Sequence, residues 1–110
     1  MTERALQSAV FDFLRVALPS DAVCFCIPNG DGKVTTAPGT LPGVPDVQVV
    51  YRGVAHFIEL KTQYGRLSAD QREVHLRLAA AGAKTAVCRS VLEVEEYLSP
   101  LIPLRARVAA

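Results

Sequence analysis

The first stretch of the chain has hydrophobic residues at every third or fourth position, which is the spacing of one face of a helix. These positions are Leu6, Ala9, Val10, Phe13, Leu14 and Ala17. Thr2 is placed to cap the first turn, and Pro19 ends the run. The pattern therefore predicts an amphipathic helix between residues 2 and 19.

After this helix the pattern becomes typical of strands. The apolar run VCFCI at 23–27 predicts a short strand, whereas residues 28–45 are rich in Gly, Pro and Thr and predict a long loop. A loop of that length inside a compact domain is usually functional. Residues 47–51 and 54–61 then predict the two strands of a hairpin, with Arg52-Gly53 as the turn.

A second helix is predicted after the hairpin. Ser68 and Gln71 have the spacing of a capping box, in which the side chain of each residue bonds the backbone N–H of the other. The helix that they begin runs to about Ala81, because Gly82 is a typical C-terminal stop.

A strand and a last helix complete the predicted domain. KTAVC at 84–88 is the strand, and Ser90 with Glu93 forms a second capping box. The domain then spans residues 1–98, and residues 99–110 form an irregular tail with two prolines, which is a candidate for forming an interface. The element order αβββαβα predicts an α/β fold in which helices flank a mixed central sheet.

Composition sets the broad class of the protein. With 110 residues, 50% of them hydrophobic and 21% charged, the chain can form one folded domain and is not a disordered chain. It has neither a membrane-length apolar run nor a signal-peptide pattern, so we expect a cytoplasmic protein. Three cysteines are an odd number, so we expect buried thiols rather than disulfides. The net charge of +1 neither supports nor excludes a nucleic-acid substrate.

The hairpin brings chemically useful side chains together. If Arg52 and Gly53 are the central turn residues, Asp46 lies directly opposite Glu59, with Cβ atoms about 5 Å apart. Lys61 is two residues beyond Glu59, so it projects from the same face. Two carboxylates and an ammonium group therefore converge at the open end of the hairpin.

This combination is typical of a metal site. Adjacent carboxylates repel each other unless a cation lies between them, and Mg²⁺ prefers oxygen ligands. Lys61 could position or deprotonate a metal-bound water, or stabilise charge on a reacting phosphate. The backbone carbonyl of Leu60 would point near the same spot and is a candidate for a further ligand.

The alternative is an ordinary salt bridge, in which Lys61 pairs with Glu59 and Asp46 along a strand surface. The three-residue pattern Glu-x-Lys is common on such surfaces and is weak support for a site. The apolar neighbours Phe57 and Ile58 favour the site, because they indicate a buried strand, where charged groups need a reason to be present.

Two further residues are candidates on helical spacing. Glu3 precedes Leu6 by three positions and so lies on the apolar face of the first helix. Its carboxylate either stays at the helix start, where the helix dipole stabilises it, or points into the site. Gln71 is expected in its capping box with Ser68, but it also heads a helix face that could reach toward Lys61.

The remaining basic residues and histidines are weaker candidates. Lys33, Arg66 and Arg72 are either solvated surface or phosphate contacts. His75 is expected to be an exposed or half-buried helix residue rather than a base. His56 is discounted because it points away from Glu59 on the same strand.

Four segments of the chain together resemble a known family. They are GVPD (43–46), IELK (58–61), YGRLSADQ (64–71) and AGAKTAVCRS (81–90). Their order and spacing resemble the VRR-NUC family, the virus-type replication-repair branch of the PD-(D/E)xK nuclease superfamily. The likeness spans roughly residues 2–98 and leaves the tail without a counterpart.

The resemblance implies a fold, a reaction and a set of residues. It implies the small PD-(D/E)xK nuclease fold and hydrolysis of phosphodiester bonds with Mg²⁺ or Mn²⁺. The residues that match the family motif are Asp46, Glu59 and Lys61, with Glu3 as the acid of the first helix, Gln71 as the helix glutamine and, less closely, Asn29 before the loop. We therefore expect catalytic roles for Asp46, Glu59, Lys61 and Gln71, and metal contacts from Glu3, Asp46, Glu59 and the Leu60 carbonyl.

The expected function is a deoxyribonuclease of a bacterial or phage-infected cell, selective for branched DNA such as a four-way junction. A homodimer is expected because the chain is short, its tail is apolar, and small members of the family resemble dimeric resolvases. The main alternative is a nuclease-like module that binds nucleic acid without cleaving it. A restriction-type enzyme is less favoured, because the chain has no room for a separate recognition domain.

Overall fold

The computed structural model describes residues 1–27 and 38–109, which form seven helices and strands in the predicted order. The elements are α1 Glu3–Ala17, β1 Ala22–Phe25, β2 Val47–Tyr51, β3 Val54–Leu60, α2 Ala69–Ala80, β4 Lys84–Cys88 and α3 Val91–Leu98. The predicted αβββαβα order is therefore confirmed. Most ends of these helices and strands lie within one or two residues of the ends predicted from the sequence.

The four strands form one mixed sheet in the order β1-β2-β3-β4. The first three strands are antiparallel to their neighbours, whereas β4 runs parallel to β3. A parallel pair needs a long crossover between its strands, and α2 provides it. The predicted mixed sheet flanked by helices is confirmed.

The hairpin between β2 and β3 has the predicted two-residue turn. Arg52 and Gly53 both have positive φ angles, 46° and 81°, as a type I′ turn requires. Val47 consequently pairs with Ile58. One step further along the same register, Asp46 faces Glu59, as predicted.

The two faces of the sheet have different roles. One face packs on α1 and α3 around a core that includes Leu6, Val10, Leu14, Val47, Val49, Ile58, Leu60, Val94 and Leu98. Strand alternation turns Glu59 and Lys61 to the opposite face. The helix α2 lies against that face, since His75 approaches Glu59 there. The candidate site is thus formed where the strands, the start of α1 and α2 meet.

The helix caps agree with the predictions except at one position. Thr2 accepts the N–H of Ala5, and Ser68 and Gln71 form a complete capping box. Ser90 accepts the N–H of Glu93, but the Glu93 carboxylate accepts the N–H of Arg89 instead of Ser90. The second predicted box is therefore one-sided.

The expectation of three buried thiols is correct only in part. Cys88 is buried and Cys24 is half-buried, but Cys26 is exposed. The reason is that β1 ends at Phe25, so Cys26 lies beyond the strand.

The tail contains neither helix nor strand in residues 99–109, as predicted, but it is tied to the domain. Ile102 is 1% exposed and belongs to the core. The N–H of Arg105 donates to the carbonyl of Ala17 at 2.7 Å, and the N–H of Val108 donates to the Glu95 carboxylate at 2.6 Å. None of the described helices has the length and hydrophobicity that crossing a bilayer requires.

Candidate metal centre and active site

Three carboxylates meet at the open end of the β2–β3 hairpin. One oxygen each from Glu3, Asp46 and Glu59 lies within 4.8 Å of the other two. Glu3 is in the first turn of α1, and its carboxylate also reaches the other two acids. The helix start and the site, which the sequence left as alternatives for Glu3, are therefore compatible. Three acids this close need positive charge or protons between them.

Asp46 is held in place by the backbone of the opposite strand. Its Oδ2 accepts the N–H of Leu60 at 2.8 Å, which fixes the orientation of the carboxylate. The N–H and the C=O of one strand residue point to the same side of the strand. The Leu60 carbonyl is therefore directed toward the Asp46 side of β3, where the sequence predicted a further ligand.

Glu59 is the most deeply buried acid of the group, at 1% exposure. Burial, its hydrogen bond with Asp46 and the Asp46 charge raise the pKa of Glu59 to about 9, and Lys61 only partly opposes them. Its Oε1 has no hydrogen-bond partner among the described residues. A buried carboxyl with an unpartnered oxygen is costly unless a cation or a donor satisfies it.

This donor set fits a hard divalent cation. All of the converging ligand atoms are oxygens, as Mg²⁺ and Mn²⁺ prefer. The carboxylates come from α1, β3 and the residue before β2, so the cation site depends on the whole fold rather than on one segment.

Lys61 provides the positive charge beside the acids. Its residue is buried, its N–H donates to the carbonyl of Cys88 at 3.1 Å, and its Nζ lies 3.9 Å from Glu3 Oε1. The long side chain is thus anchored at the backbone and reaches the carboxylates with its ammonium group.

His75 is closer to the centre than its sequence position indicated. It is half-buried on α2, as expected, but its Nε2 lies 3.9 Å from Glu59 Oε1. Neither atom has a hydrogen-bond partner in the described part of the chain. Burial lowers the pKa of His75, although the Asp46 charge acts in the opposite direction. Spacing within α2 could not have shown this approach, because it depends on how the helix packs on the sheet.

Gln48 is a second residue that the sequence reasoning missed. It is 2% exposed, and its Nε2 donates to the carbonyl of Pro45, so it braces the residue that precedes Asp46. Strand alternation gives Gln48 the same face as Asp46. This shared face is the sequence feature from which Gln48 could have been predicted to lie near the site.

Gln71 and His56 both make ordinary structural contacts. The Gln71 Oε1 accepts the N–H of Ser68 at 2.8 Å, so the capping box engages this side chain, and its catalytic role stays a prediction. His56 is buried on the other face, with its ring edge-on to Tyr97 at 6.3 Å between centroids.

Two of the predicted phosphate contacts line one cleft. Arg66 and Arg72 belong to the walls of a cleft of about 540 Å³ beside the connection from β3 to α2. Lys33 and Asn29 lie outside the residues that the structure describes.

Comparison with known proteins gives one informative match. No protein-family model matches the sequence, and no curated protein matches it either. A solved structure described as a VRR_NUC domain superposes with a TM-score of 0.62 and 20% sequence identity, covering 92% of this chain and 99% of that one. Likeness at this level of identity concerns the backbone arrangement, and there it agrees with the resemblance predicted from the sequence. This protein has the fold of a VRR_NUC domain.

Proposed function

We propose that this protein is a divalent-metal-dependent nuclease that hydrolyses phosphodiester bonds of DNA. One observation carries the proposal: the carboxylates of Glu3, Asp46 and Glu59 meet within 4.8 Å, with the Lys61 ammonium 3.9 Å from the first of them. A fold shared with a VRR_NUC domain supports it. A purely structural salt bridge explains one acid beside Lys61 but not three converging acids, one of them buried.

Some of these residues would bind the metal, and others would stabilise charge. Glu3, Asp46, Glu59 and the Leu60 carbonyl would hold Mg²⁺ or Mn²⁺, which supplies Lewis acidity and lowers the pKa of a bound water. The N–H of Leu60 keeps the Asp46 carboxylate oriented before any ligand arrives. Lys61 stabilises the negative charge that develops on the phosphate or holds the attacking water. Gln71, at the start of α2, would support this arrangement through its amide nitrogen, since its Oε1 is engaged in the capping box.

The finer features of the proposal concern substrate and assembly. We expect branched DNA as the substrate, a homodimer that presents two such centres, and a cytoplasmic location. Twofold symmetry would match the symmetry of a four-way junction. The competing function is a nuclease-like module that binds nucleic acid without cleaving it.

A panel of labelled substrates separates these functions. Single strand, duplex, flap, splayed arm and four-way junction are each incubated with Mg²⁺, with Mn²⁺ and with chelator. Cleavage that needs the metal supports the nuclease, and preference for the junction supports the branched substrate. Tight binding of these substrates without cleavage in either metal would establish the binding module instead.

The matched variant for this experiment is Asp46→Asn. The amide has the same shape and can still accept the Leu60 N–H, so the fold should survive, while loss of one charged ligand should abolish cleavage. Thermal unfolding of the variant checks the fold, and Mn²⁺ titration checks the ligand loss. Near wild-type cleavage by a folded Asp46→Asn protein would remove Asp46 from the centre.

A further inference from the structure

The cleft beside the β3–α2 connection is strongly basic. Arg66, Arg72 and Arg89 all line it, and none of the described residues in its lining is acidic. The whole chain has a net charge of only +1, so this local concentration of positive charge is distinctive. The cleft, of about 540 Å³, opens widely to solvent. The cleft therefore suits a ligand that carries negative charge.

An aromatic side chain stands at the same cleft. Tyr64 is 86% exposed, although exposing a large aromatic surface to water is unfavourable. Leu67 adds an apolar contact to the lining. Guanidinium groups together with an open aromatic face are the combination by which proteins bind phosphates and stack unpaired bases.

The loop that carries Tyr64 is held in place by hydrogen bonds from two arginine side chains. Arg89 Nη1 donates to the carbonyls of Thr62 and Gly65 at 2.7 Å and to that of Gln63 at 3.3 Å. From the other side, Arg72 Nη1 donates to the Leu67 carbonyl at 2.8 Å. The aromatic ring is thus presented by a loop whose backbone is fixed at both ends, which lowers the entropy cost of using it for binding.

The same loop adjoins the proposed catalytic lysine. A Cβ placed on Gly65 would lie 3.4 Å from Lys61 Cδ, so the loop backbone packs directly on that side chain. A strand that occupies the cleft would therefore lie next to the Lys61 side chain.

From this arrangement we propose that the cleft binds an unpaired nucleotide of a DNA strand, with the base stacked on Tyr64 and its phosphate near Arg66. The proposal deepens the proposed nuclease function and rests on it, because it names the part of the substrate that is recognised beside the scissile bond. A base inside a duplex is stacked on both sides and cannot use Tyr64, so the cleft would take a nucleotide that is unpaired at the branch of a branched DNA.

The test compares binding of a labelled thymidine single strand and of a blunt duplex, by fluorescence anisotropy in chelator with the full chain. Tyr64→Ala should weaken single-strand binding about 5- to 150-fold, the equivalent of one stacked base, and change duplex binding less than about 2-fold. Tyr64→Phe keeps the ring and should bind as the wild type does. Val16→Ala truncates an exposed apolar side chain on α1, 63% exposed against 86% for Tyr64, and is the control that should change neither affinity.

The phosphate contact has a separate readout. Arg66→Gln should reduce the slope of log affinity against log salt for the single strand by about 0.7. A uridine RNA strand is measured in parallel. Tighter binding of the DNA supports the proposal, and tighter binding of the RNA overturns its choice of DNA.

Because binding is measured without metal, the outcome does not depend on whether the protein cleaves. Loss of single-strand affinity in Tyr64→Ala supports the cleft even for a protein that proves inactive. Unchanged single-strand affinity, or an equal loss for duplex, overturns it even for an active nuclease. With an active enzyme in Mn²⁺, Tyr64→Ala should lower kcat/KM for a tailed duplex, whereas the control Val16→Ala should not.

Discussion

Glu59 is the residue whose charge is hardest to accommodate in this protein. It is almost fully buried, it faces two other acids, and its pKa rises from an ordinary 4.5 to about 9 because of burial and of Asp46. Without metal, the folded protein therefore holds a proton on Glu59 that the unfolded chain loses near pH 4.5.

A pH dependence of stability follows. The stability that this proton provides is present in full below pH 4.5 and is lost progressively as the pH rises to about 9. In chelator, the Tm of the wild type should therefore fall across this window relative to that of Glu59→Gln, which cannot ionise. The comparison removes the contribution of the histidines, which both proteins share. Parallel Tm curves for the two proteins would show that Glu59 does not carry a raised pKa.

Lys61 is expected to act on the reaction rather than on metal binding. Lys61→Ala should lower the cleavage rate about 10²- to 10⁴-fold, the usual range for electrostatic or proton-transfer groups. Mn²⁺ affinity, measured by calorimetry, should change little. Lys61→Arg should restore only part of the rate, because the guanidinium is planar, larger and unable to lose its proton. A fully active Lys61→Ala protein would return Lys61 to a structural ion pair with Glu3.

At the scale of single residues, the sequence predicts the side-chain contacts that follow from strand alternation alone. The meeting of Asp46 with Glu59 follows from a local hairpin, and the structure has that register. The approach of His75 to Glu59 depends on how α2 lies on the sheet, which no spacing within one element specifies. That is why His75 was described correctly as half-buried and yet not placed in the site.

Among the elements, the segment before β2 packs against the start of α2 with no room for a side chain at Gly43. Gly43 has a φ of 93°, and a Cβ there would lie 2.6 Å from the backbone C and O of Asp70 and 2.8 Å from the N of Gln71. Backbone atoms cannot move aside as a flexible side chain can. Gly43 thus lets the residues before Asp46 approach α2.

Substituting this glycine should separate the two elements. Gly43→Ala should lower the free energy of unfolding by about 1–3 kcal/mol from backbone strain alone, with the steric contact adding to that loss. Gly39→Ala is the matched control, since Gly39 has a similar φ of 88° but no atom within 4 Å of an added Cβ. Denaturant unfolding of both variants measures the difference, and equal losses would mean that the contact with α2 is unimportant.

Element types and order were predictable because hydrophobic spacing and capping residues are local signals. The ends were less so: β1 stops at Phe25 because its pairing with β2 extends only from Ala22 to Phe25. The one-sided cap at Ser90 has the same origin, since the Glu93 carboxylate chooses between two nearby N–H groups by geometry that the sequence spacing does not contain.

For the whole molecule, the arrangement of exposed apolar surface changes where a dimer interface is expected. The tail turns Ile102 into the core and ties its backbone to α1 and α3. The outer surface of β1 is more apolar, with Val23 59% exposed and Phe25 43% exposed. Among the described strands β1 is also a sheet edge, a surface that proteins usually cover or pair.

We therefore expect a homodimer that uses the β1 surface rather than the tail. Light scattering coupled to size exclusion at micromolar concentration should give twice the 11.9 kDa of one chain. Phe25→Glu should convert the dimer to monomer, because it introduces a charge into the buried interface. Leu101→Glu, an exposed tail position of similar accessibility, should leave the dimer intact. A wild-type mass of one chain contradicts the dimer, and dissociation by Leu101→Glu alone moves the interface to the tail.

The two-residue turn at Arg52 and Gly53 has a consequence for sequence length. Because side chains alternate faces along a strand, adding or removing a single residue between Asp46 and Glu59 would turn one of the two acids into the hydrophobic core. The residues of the hairpin can therefore change in type, but the number of residues between the two acids cannot change. Among relatives that keep this centre, the count of residues separating the two acids should stay fixed or change together with the turn type. That spacing can be checked in any newly found relative before its structure is known.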